Sequence, residues 1–250
     1  MFGLEKKAKI KVRNLTKKFG DLLVLDDVSF DINEGELLCV VGPTGCGKTT
    51  FLNSVTKLYD ITSGQILVND EPVDLRKHNI SYIFQENSTM QWLTVEKNVA
   101  FGLDIKGIPE KEKKESIDEV LDIVGLTDYK HYYPRQLSAS MLQRVVIARA
   151  FATKPELLLM DEPYASLDIE LRFKLEDELV KLWQRIGTTV LFITHNIEEA
   201  VYLGEKIMIL SNKPTKVKTV LDNPIPRPRD VTAPDFVDLR NEVTDLIRWW

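Results

Sequence analysis

The run Gly42-Pro43-Thr44-Gly45-Cys46-Gly47-Lys48-Thr49, followed by Thr50, fits the pattern G-x-x-x-x-G-K-[ST]. Each residue type in it has a task in binding a chain of phosphates. Glycines let backbone N–H groups approach phosphate oxygens with no Cβ in the way. A helix beginning near Lys48 would aim its positive dipole end at the same place. Lys48 is placed to reach the β- and γ-phosphates of ATP, and the Thr49 hydroxyl to take a Mg²⁺ ion. A second run, Leu157-Leu158-Leu159-Met160, ends in Asp161 and Glu162. Alone, two acids after an apolar strand are a solvated turn. Beside a phosphate loop they have another use, because ligands sit at the carboxyl ends of parallel strands in open α/β sheets. There Asp161 would hold Mg²⁺ through water, and Glu162 would accept a proton from the attacking water.

The elements that must position these residues are legible as patterns. Leu37–Val41, directly before the loop, is a short continuous apolar run and predicts a buried strand. Phe51, Leu52 and Val55 after it suit a helix. Ile10 and Val12, and then Val28, Phe30 and Ile32, alternate with polar residues as half-exposed strands do. Further strand-like runs lie at Gln65–Val68, Ile80–Phe84, Leu157–Met160, Val190–Thr194, Ile207–Leu210 and Lys216–Val220. The early runs predict an antiparallel β-layer, and the buried runs separated by helices a parallel sheet. From 87 to 153 there is almost no strand signal. Pro109 stands at a helix start, with Glu110 and Glu112 in the first turn. Ile117, Val120, Leu121 and Val124 repeat at helical spacing, and Gly125 is a stop. The fold class expected is therefore α/β, a P-loop core with a helical subdomain inserted at 87–153. A Pro-rich stretch, Asn223–Pro234, predicts an extended linker after the 1–222 domain. Phe236, Leu239, Val243, Leu246, Ile247 and Trp250 then predict an amphipathic helix, docked on its own domain or offered to a partner or membrane surface.

Composition excludes several classes. With 44% hydrophobic and 28% charged residues over 250, the chain is globular and long enough to bury a sizeable core. A net charge of -5 speaks against a nucleic-acid binder. Two cysteines, Cys39 and Cys46, give no disulfide or zinc framework and suit a reducing compartment. Met1–Lys9 is charged and lacks a secretory apolar core. No apolar run approaches the roughly 20 residues needed to span a bilayer, so the expectation is a soluble chain or one held at a membrane by a partner. His78 and His131 have no motif around them and read as surface residues, and Glu110–Glu115 as a solvated helix face.

In their order, the motifs resemble those of ATP-binding cassette (ABC) transporter ATPase subunits over essentially the whole chain. The resemblance implies that Phe19 stacks on adenine, although alone it reads as a core aromatic. It makes Gly42–Thr50 the Walker A loop and Gln85 the loop glutamine that senses Mg²⁺ and the γ-phosphate. Leu137-Ser138-Ala139-Ser140-Met141 stands where the signature motif belongs. Asp161 becomes the Walker B acid, Glu162 the catalytic acid, and Ala165-Ser166-Leu167-Asp168 the D-loop. His195 becomes the switch histidine at the γ-phosphate, although alone it reads as a satisfied structural histidine. The implied metal ligands are Thr49, Gln85 and Asp161, and the implied cofactors ATP and Mg²⁺. Implied partners are a second ATPase subunit (homo- or heterodimer), transmembrane permease subunits docked near Gln85 and Trp92, and indirectly a solute-binding protein. The implied location is the cytoplasmic face of the cell membrane. Gln85-Glu86-Asn87 through Trp92-Leu93-Thr94-Val95, and the tail Pro226-Arg227-Pro228-Arg229-Asp230, resemble the nitrate/sulfonate/taurine-type importers.

One departure stands out. The family signature reads Leu-Ser-Gly-Gly, and here Ala139 and Ser140 replace both glycines. Side chains there would hinder approach to the partner's γ-phosphate, and would strain the backbone if φ were positive. Two other functions therefore stay open: a non-transport ABC-type ATPase, and a weakly catalytic subunit of a heterodimer.

Overall fold

In the computed structural model the first elements are β1 (Ala8–Phe19), β2 (Leu22–Asn33), β3 (Leu37–Val41), α1 (Lys48–Val55), β4 (Ser63–Val68) and β5 (Glu71–Pro72). Then come β6 (Ile80–Ile83), α2 (Val95–Ile105), α3 (Glu110–Ile123), α4 (Ala139–Ala152), β7 (Leu157–Asp161) and α5 (Ile169–Ile186). The last are β8 (Thr189–Ile193), α6 (Ile197–Leu203), β9 (Lys206–Leu210), β10 (Val217–Asp222) and α7 (Pro234–Arg248). The structure describes residues 7–165 and 167–248. Ser166 and Trp250, named above, lie outside them, as do Trp249 and residues 1–6. The chain falls into two compact units, Met1–His78 with Thr189–Trp250, and Asn79–Thr188.

The first unit holds the antiparallel layer, in the order β2-β1-β4-β5. Its inward face follows from alternation: Ile10, Val12 and Leu15 stand opposite Ile32, Phe30 and Val28, and all six are buried. The outward face is charged, with Arg13 paired to Asp31 at 2.5 Å. The register shifts between Val12 and Leu15, where Asn14 and Asp27 both have positive φ and Asn14 Nδ2 donates to Asp27 Oδ1 at 2.7 Å. The second sheet of this unit runs β10-β9-β3-β8. β3 is parallel to both β8 and β9, and every residue of β3 and β8 is buried. That burial explains the unbroken apolar runs. β10 pairs antiparallel with β9, and its alternate residues are exposed.

α7 docks in this unit through Phe236 and Val243, both fully buried. Residues 223–233 form no helix or strand, yet Asn223 and Arg229 within them are buried. His78 corrects the expectation of a surface residue. It is only 7% exposed, because its Nδ1 accepts the backbone N–H of Asp74 at 3.0 Å and closes a tight turn.

In the second unit β6 and β7 pair in parallel, Ile80 with Leu157 through Ile83 with Met160. α4 packs against α2, α3 and α5. α3 starts after Pro109 with Glu110 and Glu112 in its first turn, and closes at Gly125, whose φ is 65°. The stretch 87–153 carries α2, α3, α4 and short 3₁₀ turns and no strand among the described residues. Among the described residues no helix is long and apolar enough to cross a membrane.

Gly64 is the tightest backbone approach in the antiparallel layer. Its φ is +90°, and a Cβ there would meet the Asn14 carbonyl oxygen at 2.4 Å. Gly64→Ala is therefore expected to destabilise the chain by about 2–4 kcal/mol, measured as a fall in the thermal or urea midpoint.

Candidate active site

The sequence-predicted residues divide between the units. Phe19, the Gly42–Thr50 loop and His195 belong to the first. Gln85, Ser138–Met141, Asp161, Glu162 and Asp168 belong to the second.

In the first unit the loop follows the buried strand β3 and leads into α1. Gly47 precedes α1 with φ 112° and gives the helix no side-chain cap. The first-turn N–H groups are therefore left without an intramolecular acceptor from that side chain, which suits an anion. A Cβ on Gly47 would meet Val24 Cγ1 at 2.9 Å, so β2 forces glycine here. Gly45 has φ +76° with nothing within 4 Å of a built Cβ, so its demand is conformational and the space beside it is open. Lys48 is 5% exposed, and its Nζ donates to the carbonyls of Gly42 at 2.9 Å and Pro43 at 3.2 Å. The ammonium is thus drawn over the loop toward the Gly42 and Pro43 carbonyls. The Thr49 hydroxyl is exposed and has no side-chain hydrogen bond among the described residues. Thr215, fully buried, braces the loop by donating to the Cys46 carbonyl. It lies 169 residues away in the chain, and nothing in the sequence signalled it.

His195 stands at the matching end of the neighbouring strand. Val40 of β3 is in register with Ile193 of β8, and the Thr194 N–H donates to the Val40 carbonyl at 3.1 Å. Thr194 Oγ1 accepts the Asn196 N–H at 2.9 Å, and Asn196 Oδ1 caps α6 by accepting from Glu198 (2.9 Å) and Glu199 (3.3 Å). His195 is held between these anchors and is itself exposed. Phe19, at the β1–β2 turn, is 42% exposed. Tyr59 meets its ring edge-on at 5.4 Å, and Lys17 Nζ lies 4.5 Å from its centroid. The sequence did not single out Tyr59 or Lys17.

In the second unit Gln85 and Asp161 leave the ends of the paired strands β6 and β7. Tyr82 of β6 donates its hydroxyl to Asp161 Oδ2 at 3.3 Å, and Asp161 is 4% exposed. Glu162 has φ 45°, a left-handed conformation that costs a non-glycine residue about 1–3 kcal/mol. Such strain is tolerated where it aims a side chain. Gln85 is exposed, but the loop after it is fixed. Asn98 of α2, wholly buried, accepts the Met90 N–H and donates to the carbonyls of Met90, Leu93 and Thr94. Arg149 of α4 donates to the Ser88 carbonyl at 2.8 Å and hydroxyl at 2.5 Å. Burial holds this guanidinium's pKa below its ordinary value. Asp168 caps α5 by accepting the Leu171 N–H at 3.0 Å.

Ser138 caps α4 by accepting the Met141 N–H at 3.3 Å. Ala139 and Ser140 are the first residues of the helix, and neither has positive φ. The backbone strain considered from the sequence is absent, because helical φ suits any residue. The Ser140 hydroxyl pairs with the Ser138 hydroxyl at 3.1 Å.

A family model described as "ABC transporter" matches residues 25–165. The chain belongs to the ABC transporter family. An uncharacterized ABC transporter ATP-binding protein of Methanocaldococcus jannaschii is 41% identical over 246 residues, covering 97% of this chain and 92% of the relative. An aliphatic sulfonates import ATP-binding protein of Bacillus cereus is 37% identical over 228 residues, covering 91% and 90%. The dimeric structure of a bacterial ABC transporter cassette matches with TM-score 0.73 at 32% identity, covering 85% of this chain and 98% of the other. The α/β cassette fold with its antiparallel layer is thus that of ABC ATPases, and this cassette is an ATPase of that family.

Cys46 lies inside the cassette's phosphate loop, yet it is 2% exposed and burial raises its thiol pKa, with Lys48 opposing. A raised pKa leaves less thiolate at neutral pH. Iodoacetamide at pH 7.5 should alkylate Cys46 at least ~10-fold more slowly in the folded chain than in urea, read by peptide mass spectrometry.

Proposed function

We propose that this chain is the ATP-binding and ATP-hydrolysing subunit that powers solute import through a separate membrane permease of the nitrate/sulfonate/taurine type. The observation that carries the transport class is the 37% identity to an aliphatic sulfonates import ATP-binding protein along nine-tenths of both chains. ATP binding is supported by the start of α1, which has no side-chain cap, beside a lysine whose ammonium donates to the loop carbonyls of Gly42 and Pro43.

In this reading Phe19 stacks on the adenine. The backbone of Gly42, Pro43, Thr44, Gly45, Cys46, Gly47 and the first turn through Thr50 wraps the phosphates, with Pro43 giving shape and no donor, and with the Cys46 N–H having to leave the Pro43 carbonyl. Lys48 exchanges its carbonyl acceptors for β- and γ-phosphate oxygens. The donors available for Mg²⁺ are the Thr49 hydroxyl, the Gln85 amide oxygen and the Asp161 carboxylate. All are hard oxygens, and no cluster of three His, Cys, Asp or Glu exists among the described residues to hold a metal alone. That fits an ion bound mostly through substrate phosphates and water. When bound, Mg²⁺ would neutralise charge developing on the phosphates. Glu162 accepts the proton of the attacking water, and His195 orients that water against the γ-phosphate. Ser138, Ala139, Ser140 and Met141 are offered to the ATP of a second ATPase subunit, and Asp168 lies in the loop facing it. The permease docks near Gln85 and Trp92, where Trp92 is 76% exposed, and a solute-binding protein acts beyond it. The chain then works as a peripheral subunit on the cytoplasmic face.

Glu162→Gln should bind ATP as the parent does and lose hydrolysis by about 10²–10⁴-fold, measured by filter binding and phosphate release. Unchanged turnover would remove Glu162 from its role. Lys48→Ala should weaken ATP binding itself. Co-expression with a sulfonate-type permease should give a stable complex whose ATPase rises with solute; failure to co-purify would count against the importer class.

A further inference from the structure

α6 is seven residues long, too short to hold together on its own. Its last carbonyls need donors from elsewhere. The stretch between β10 and α7 supplies them. Arg229 Nη1 donates to the carbonyls of Val201 (2.9 Å), Tyr202 (2.8 Å) and Gly204 (2.8 Å), and its Nε to Ile225 (3.0 Å). Arg227 donates to Tyr202 at 3.1 Å and to Leu203. Asn223 Nδ2 donates to Val201 at 2.8 Å and Gly204 at 2.9 Å. Every carbonyl from Val201 to Gly204 is therefore covered.

The local sequence makes this possible. Pro226 and Pro228 are exposed and carry no N–H to satisfy, while Arg227 and Arg229 turn inward between and after them. Arg229 is 8% exposed, and burial with Arg227 beside it lowers its pKa to about 10. It stays charged at neutral pH, so two cations face the negative end of the α6 dipole. At the opposite end, Arg240 of α7 lies 3.7 Å from Glu198 in the first turn of α6. The tail thus grips α6 at both ends. The N-terminal end of that helix is capped by Asn196, the residue next to His195, so a shift of α6 carries His195 with it.

We infer that Asn223, Arg227 and Arg229 form a clamp on α6 that positions His195 for ATP hydrolysis. They are positioning residues, and the inference rests on His195 acting at the γ-phosphate. In the 250-residue chain, Arg229→Gln should lower kcat on the order of 10- to 100-fold, the scale of a misplaced catalytic group. KM for ATP should stay within about twofold, because the phosphate loop is untouched. Arg229→Lys, which keeps the charge and a donor for the α6 carbonyls but loses the Nε bond to Ile225, should recover part of the loss. Added to His195→Ala, Arg229→Gln should cause no further loss in kcat. Full additivity, or wild-type kcat in Arg229→Gln, would overturn the clamp. Wild-type kcat in His195→Ala alone would overturn the role of His195 and the clamp with it. If Arg229→Gln does not fold, Asn223→Ala decides in the same cycle, since it removes two cap bonds and no charge.

Discussion

The buried strand β3 is the constraint on which the candidate phosphate loop of this cassette depends. All five of its residues are inaccessible, with parallel partners on both sides. A strand paired on both edges cannot slide or tilt without breaking two ladders. It therefore delivers Gly42 to a fixed place, and everything after it inherits that precision. Gly47 has no room for a Cβ against Val24. Thr215 holds the Cys46 carbonyl, and Lys48 is parked on the carbonyls of Gly42 and Pro43. The same ladder fixes His195, because Thr194 donates to Val40. In the proposed reading, a nucleotide's phosphates would meet a loop already held in place, which favours a strong phosphate site.

The second unit uses a different device. Its chemistry-bearing loops are not buried strands, so they are fixed by single polar side chains. Asn98 satisfies the turn at 90–94 with both ends of its amide, and Arg149 ties Ser88 to α4. α4 begins at the signature residues, so one helix joins Ser138 at its start to the loop that follows Gln85. A buried polar group such as Asn98 is costly if any partner is lost, and that makes the loop conformation unique. Glu162, directly after β7, adds backbone strain through its positive φ.

The altered signature illustrates how far local chemistry can be judged before geometry is known. Glycines at 139 and 140 would be needed if φ were positive. The helix begins at Ala139, so alanine and serine are at home there and serine adds a hydroxyl beside the capping one. What changes is the side chains presented at the start of α4, not its helical backbone.

The sequence by itself determined the buried strands and the family, and it named the candidate phosphate loop and paired acids, because these depend on local pattern: apolar runs, glycine spacing and residue order. Phe19, Gln85, Asp161, Glu162, Asp168 and His195 were all named from that order. It also determined that the tail would end in an amphipathic helix, seen as α7 docked through Phe236 and Val243. Only the tertiary structure decided what braces those residues. Tyr82 on Asp161, Thr215 on Cys46, Asn98 and Arg149 on the 88–94 loop, and Arg227 with Arg229 on α6 carry no local signal. His78, read as a surface residue, is buried by a local turn in which its Nδ1 accepts the Asp74 N–H. A side chain's partner across the fold is set by which strands and helices become neighbours, and long-range contacts of this kind leave no periodicity in the chain.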